Sequence, residues 1–448
     1  MDNSTRLGKE KISKLLFQFS VPAIIAMLVN SIYNIVDRMF VGNVVGRLGL
    51  AGITICFPVM ILIMAYGMLV GIGGASLISI RLGENKKDEA EKILGNGSTL
   101  MIVGGLLLGL LMHLFIEPLL TLFGASPDVM PYAVSYLNII LYGTMFQTFS
   151  FGMNSYIRAE GNPVISMISM LIGAISNIIL DYIFIFHFKM GLQGAALGTI
   201  LAQAIASIWI LRHYFSRKSI LHFHLKSLIL ESKIVVRIMQ VGAGMFLMQV
   251  ASAFVVTIMN RSLKYFGGDV AISAYGIINS ITMLFFMPVF GINQGSQPII
   301  GYNYGAKKIK RMTKTIKLAM LAATAVMFLG WLVIMIFPTQ LIKLFNKNDL
   351  ELIELATMAI RYVNIMIPIV GFQIIGTGYF QATGKARQAA FLSLSRQLIF
   401  LVPLVLIGGQ IGELKGMLIA IPVSDLLSSV LTATFLLREK KKWVLSKE

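Results

Sequence analysis

The chain has 448 residues, 56% of them hydrophobic and only 13% charged, where a soluble protein carries about 25% charged residues. That balance excludes a soluble domain, and the single cysteine, Cys56, excludes an internal disulfide framework or a cysteine metal cluster. The net charge of +18 would suggest nucleic acid in a soluble chain, so the placement of the charge has to be read before its sum.

Apolar segments recur throughout and most exceed 20 residues, the pattern of a polytopic helical membrane protein rather than a barrel. Twelve spans are predicted, at 15–40, 50–80, 93–116, 132–156, 164–187, 191–214, 234–264, 270–301, 313–337, 357–383, 387–408 and 413–437. The first 14 residues are polar and the run after them is of full length, so no cleavable signal is expected and the first helix stays. An even number of spans puts both termini on one side. Of the 38 Lys and Arg, 29 fall with the termini and 9 opposite, which makes that side cytoplasmic and the location the cell (plasma or inner) membrane. The basic clusters, Lys307 to Lys317 above all, read as orientation signals and contacts with anionic headgroups of the bilayer, not as nucleic-acid sites.

In chain order, the first span carries Pro22, which removes a backbone hydrogen bond and offers a hinge. Beyond it Asn30, Asn34 and Asp37 stand at i, i+4 and i+7, one polar stripe on one helix face. An acid inside the bilayer marks a functional site and needs a partner. The fifth span supplies Asn177 and Asp181, four residues apart on one face, and Thr199 in the antiparallel sixth span reaches a similar depth. Carboxylate, amide oxygen and hydroxyl form a set of hard oxygen donors suited to Na⁺, and two adjacent carboxyls could equally hold a proton. The residues leave both ions open. Met145, Phe149, Met153 and Met287 are candidate lining for a lipophilic pocket near the lobe interface.

The halves repeat with an offset near 220. FSVPAIIAMLVNSIYNIVDRMF at Pro22 aligns with MQVGAGMFLMQVASAFVVTIMN at Gly242, Gly83 falls over Gly305, and Gly161 over Gly384. Parallel repeats of this kind usually bind between the halves and rock about the site. Thr257 and Leu404 stand roughly where Asp37 and Asp181 stand in the first half, so coupling chemistry belongs to the amino-terminal half. The expected fold is an all-α integral membrane protein of twelve helices in two pseudo-symmetric six-helix lobes. Its divisions are a cytoplasmic amino terminus 1–14, an N-lobe 15–215, a linker 216–233, a C-lobe 234–437 and a basic tail 438–448. The linker pair His222 and His224 lacks further metal ligands and reads as part of a solvated loop. Arg396 and Asp425 are expected to pair.

The doubled plan, Pro22, the segment around Asn34 and Asp37, ISIRLGENKKDEAEK, the RAEGNP turn at 158–163, NIILDYIFIF and GLQGAALGT together resemble the MATE family of multidrug and toxic compound exporters over nearly the whole chain. The fit is to its DinF-like branch, with the MepA-like exporters. The resemblance implies a V-shaped pair of lobes and H⁺ or Na⁺ antiport of amphipathic organic cations, by a secondary transporter that is not an enzyme and needs no cofactor. It places Asp37, Asn177, Asp181 and Thr199 in the cation site with Tyr136 beside them, Pro22 as the bending proline, and Asn30 and Asn154 in the drug pocket. Family precedent implies a monomer. A NorM-like second site would need an acid in the tenth span, and 357–383 has none. A flippase of a lipid-linked substrate shares the architecture but would require a cationic groove. An intramembrane enzyme or receptor finds no catalytic or phosphate-loop motif to rest on.

Overall fold

The computed structural model describes residues 6–45, 47–216, 219–345 and 349–445. Two of the candidate ligands, Asn30 and Asn34, have side chains outside the described residues, as does Thr257. The backbone is helical almost throughout. The N-lobe holds α1 Ile12–Val44, α2 Arg47–Gly83, α3 Lys87–Leu114, α4 Met130–Tyr142, α5 Thr144–Ala159, α6 Pro163–Asp181 and α7 Gly191–Tyr214. The C-lobe holds α8 Ser232–Gly268, α9 Val270–Gly305, α10 Ile309–Ile336, α11 Leu350–Val363, α12 Ile367–Ala382, α13 Ala386–Leu394 and α14 Val402–Leu445.

Nine helices among the described residues are long and apolar enough to cross a bilayer, ten with the bent pair α11 and α12. The fourth and tenth predicted spans are interrupted: α4 and α5 part at Gly143, and α11 and α12 part at residues 364–366 with a bend of 50°. Neither break shows in the hydropathy, because both lie inside continuous apolar runs. α14 is divided by non-helical backbone at Gly412 and Glu413, where the eleventh and twelfth predicted spans meet.

The repeat is visible in the packing. A Cβ on Gly83 would overlap the Tyr302 carbonyl, and one on Gly305 would overlap that of Ile80, so the two aligned glycines let α2 and α9 cross backbone to backbone. Gly73 against Ile238 and Gly242 against Leu69 do the same for α2 and α8. The aligned turn glycines Gly161 and Gly384 both take positive φ, 102° and 70°, as a residue without Cβ can.

These crossings lie toward the face that carries both termini. There one core joins the lobes, with Leu94, Met153 and Tyr156 packed together with Ile238, Ile299 and Tyr302. Toward the opposite face the lobes keep separate cores, one around Val41, Tyr136 and Ile185 and another around Met259, Ile353 and Met417. The amino-terminal segment is clamped to the C-lobe on the terminal face: Asn303 and Arg311 donate to the Leu7 carbonyl at 3.0 and 3.1 Å, and Arg311 reaches that of Glu10 at 2.6 Å.

The linker between the lobes is largely exposed, and parts of it are also held to α3. Buried Glu91 of α3 accepts from the His222 backbone N–H at 3.1 Å and faces His224 Nε2 at 2.8 Å. Asn96 donates to the Ser227 carbonyl at 3.0 Å and accepts from the Glu231 N–H at 2.6 Å. A carboxylate and an amide withdrawn from water must find partners, and the linker backbone supplies them.

Candidate functional site

Three N-lobe helices build the candidate site. α6 packs against both α1 and α7. Asp181, the last residue of α6, is 1% exposed and Asn177, one turn earlier, 3%. Asn177 Nδ2 donates to Asp181 Oδ1 at 3.2 Å and to Thr199 Oγ1 of α7 at 3.4 Å. The Asp37 carboxyl, half-buried on α1, is an electrostatic neighbour of Asp181. Asp181 Oδ2 and Asn177 Oδ1 are buried with no hydrogen-bond partner among the described residues. Four residues named from the sequence, Asp37, Asn177, Asp181 and Thr199, therefore meet in one cluster.

Two features of the backbone make this approach possible, and neither was named from the sequence. Gly194 and Gly198, four apart on α7, press it against α6: a Cβ at Gly194 would meet Phe184 at 3.0 Å, and one at Gly198 would overlap Asp181 Oδ1. The pair lies inside GLQGAALGT, so the small-xxx-small spacing was there to be read. Directly after Asp181 the chain winds as a π-helix over Tyr182–His187, a rare form that concentrates at functional sites. No residue pattern announces it.

Tyr136 is buried at 1% exposure in the apolar cluster that also holds Val41, Ile185, Ala195 and Ala196. Those residues stand one turn from Asp37, Asp181 and Thr199 on their three helices. Tyr136 thus belongs to the layer that covers the carboxyls on the side away from the termini.

Asn154 and Met153 lie elsewhere. The Asn154 amide donates to the Ser150 carbonyl at 2.8 Å, while its oxygen accepts from Ser166 at 3.2 Å and from Ser169. Ser169 precedes Asp181 by twelve residues of α6, about 18 Å along the axis. Met153 is wholly buried and takes the Ser98 hydroxyl on its sulfur at 3.2 Å. Both side chains tie α5 to its neighbours in the terminal half of the N-lobe. Pro22 lies where α1 crosses α9: a Cβ on Gly295 would meet Phe19 and Ser20 at 2.7 Å, and one on Gly291 would meet Ile24 at 2.5 Å. In the C-lobe Arg396 Nε donates to Asp425 Oδ1 at 2.7 Å, the pairing expected of them.

The MatE family model matches residues 22–183 and 243–407, one copy in each half. This chain belongs to the MATE family. As a family member it is a multi-pass membrane transporter and not an enzyme. It is 29% identical over 440 residues to the multidrug export protein MepA of Staphylococcus saprophyticus, covering 96% of this chain and 95% of that one. Among solved structures, the MATE multidrug transporter DinF-BH, in complex with R6G, superposes with a TM-score of 0.91 at 39% identity over 98% of both chains. An outward-facing MATE transporter of the MOP superfamily matches in fold, with a TM-score of 0.92 at 24% identity over 99% of both.

Proposed function

We propose that this chain is a multidrug efflux antiporter that expels amphipathic organic cations in exchange for a monovalent cation, with the proton as coupling ion. The observation that carries this is the Asp37 and Asp181 pair. Two neighbouring carboxyls withdrawn from water favour a shared proton, because two like charges held close in a low dielectric repel. Asn177 turns its N–H group toward Asp181 and Thr199, which suits a carboxyl cluster. Na⁺ would take the unpartnered Asn177 amide oxygen as a ligand, and the separate gradients of the test below decide between the two ions. Relatives named for multidrug export support the class of cargo. One chain supplies every member of the cluster, in keeping with a monomer, and the excess of Lys and Arg with the termini supports cytoplasmic ends.

In this reading the shared proton holds the far half of α1 against α6. When the proton leaves, the two anions repel and α1 is free to swing about Pro22, whose ring removes one backbone hydrogen bond just where α1 rests on α9. A cationic cargo offsets the bared charge and so favours the deprotonated arrangement. Coupling follows because proton and cargo prefer different arrangements of the same helices. Separate distal cores and a joint core at the termini fit a protein whose lobes part on the outer side.

The test is efflux of a dye cation from vesicles holding the purified chain, with pH and Na⁺ gradients imposed separately. The proposal expects the pH gradient alone to drive efflux and Asp181→Asn to abolish it. Efflux driven only by Na⁺ would overturn the choice of ion, and efflux that ignored both gradients would overturn coupling.

A further inference from the structure

Each half of the chain enters its first helix through a segment that the opposite lobe holds. Residues 6–11 lead into α1 and break from it at Lys11, whose backbone is not helical (φ −56°, ψ 128°). Asn303 and Arg311 donate to the Leu7 carbonyl, Lys308 Nζ to that of Gly8 at 3.0 Å, and Arg311 also to those of Lys9 at 3.4 Å and Glu10. Successive carbonyls of the segment that opens the N-lobe are thus gripped by the end of α9 and the start of α10, in the C-lobe. Leu7 itself is wholly buried in the core that joins the lobes.

The segment leading into α8 crosses the other way. Residues 221–231 open the C-lobe, yet α3 of the N-lobe holds them through Glu91, Asn96 and Thr99, the last donating to the Leu228 carbonyl at 2.8 Å. A Cβ at Gly95 would overlap the Ser227 carbonyl, so α3 and this segment meet at backbone distance. α3 and α10 are the third spans of the two halves, so the crossing follows the repeat while its chemistry is reversed. The C-lobe offers mainly cationic donors to carbonyls; the N-lobe offers a carboxylate and an amide oxygen to the N–H groups of His222 and Glu231. These are side-chain bonds to backbone on a solvated face, where water replaces each at small net cost, so they can open and close. Asn303 stands between Tyr302, on which Gly83 rests, and Gly305, which rests on Ile80. The first segment is therefore fastened at the crossing that shuts the terminal face.

We propose that residues 6–11 and 221–231 are a pair of crossed latches that hold the terminal face shut, and that both let go each time that face opens to admit cargo. Each latch is joined by the chain to a first helix of one lobe and by hydrogen bonds to the third span of the other, so separation of the lobes on that side breaks both sets of bonds and bares Leu7. Their strength sets the resting balance between the two arrangements of the lobes. The proposal rests on the exporter reading only in having cargo enter from the terminal face. Opening is measured without dye or gradient, so the latches can fail while coupling stands, and the reverse.

The experiment places spin labels on the exposed terminal ends of α3 and α10, through Asp88→Cys and Lys310→Cys in a Cys56→Ser background, and reads the distance between them by pulsed electron resonance on the purified full chain in lipid discs. Arg311→Gln and Glu91→Gln are each expected to raise the ratio of open to closed molecules about tenfold, the scale of losing hydrogen bonds to a charged group. Together they should raise it about a hundredfold, since the two latches share no partner. Lys314→Gln, at an exposed lysine of the same helix, should leave the distances as they are. Unchanged distances in the double variant would overturn the latches. Should that variant fail to fold, a covalent lock decides: Gly8→Cys and Lys308→Cys joined by a short bis-methanethiosulfonate. Dye efflux is expected to stop on cross-linking and to return with a reductant. Efflux at the same rate before and after cross-linking would show that the first segment never lets go, and would overturn the proposal.

Discussion

Replacing Gly198 by alanine tests the cluster without touching a titratable group. The new Cβ would overlap Asp181 Oδ1 and stand 3.2 Å from the Asp181 backbone nitrogen. The carboxyl must retreat by about 1 Å to regain ordinary contact. The backbone nitrogen cannot swing away, so α6 and α7 must also part. The hydrogen bond from Asn177 to Oδ1 is already 3.2 Å long and does not survive that displacement. Overpacking of this kind costs about 1–3 kcal/mol. If it falls on the ion-bound state, coupling-ion affinity drops about five- to 150-fold at 1.36 kcal/mol per decade. The control is Gly173→Ala, since a Cβ there meets only Ala206 at 3.6 Å. The assay is the pH dependence of dye efflux from vesicles, with protein amount matched. Gly198→Ala should need a far larger proton concentration for half-maximal rate, while Gly173→Ala should behave as wild type. Indistinguishable profiles for the two variants would refute the close approach of α7 to Asp181.

Further outcomes are expected elsewhere. Arg396→Gln should destabilise the protein by about 3 kcal/mol, by leaving Asp425 as an unpaired buried acid, and the double change Arg396→Met with Asp425→Leu should recover most of it in thermal unfolding. Gly305→Leu should prise α9 from α2, so labelling of a cysteine introduced at buried Ser79 of α2 should rise while each lobe stays folded. The Glu10 carboxyl is held below its usual range by its hydrogen bond from Arg6, against a reference of 4.5. A lowered value stabilises the clamp above the unfolded pKa and is lost as pH falls through the folded one. Proteolysis of the amino-terminal segment should therefore be flat from neutral pH down to about pH 5 and rise below about pH 4. In Glu10→Gln that acid-dependent rise should be absent.

Much of the fold was legible because the repeat leaves marks in residue identity. Gly83 and Gly305 aligned in the sequence, and they meet as mutual close approaches of α2 and α9. Gly161 and Gly384 aligned, and both turn with positive φ. The acids and amides of the cluster were legible because charge and hydrogen-bonding groups inside apolar spans demand partners. What escaped depends on backbone winding or on distant partners. The breaks at Gly143 and residues 364–366 and the π-helix after Asp181 change helical geometry without changing hydropathy. The Asn154 oxygen is shared by two serines of α6 twelve and fifteen residues away, partners that no local pattern records. Glu91 and Asn96 bind linker atoms more than 130 residues away, which no local pattern records.

The central claim is that Asp37 and Asp181 hold one proton that a cationic cargo displaces. It is tested most directly by counting protons released when a dye cation saturates the purified chain in weakly buffered detergent, followed with a pH indicator. The account predicts close to one proton per bound dye for the wild type, and none for Asp181→Asn even where dye still binds. Dye binding to the wild type without proton release, or release undiminished in Asp181→Asn, would contradict it.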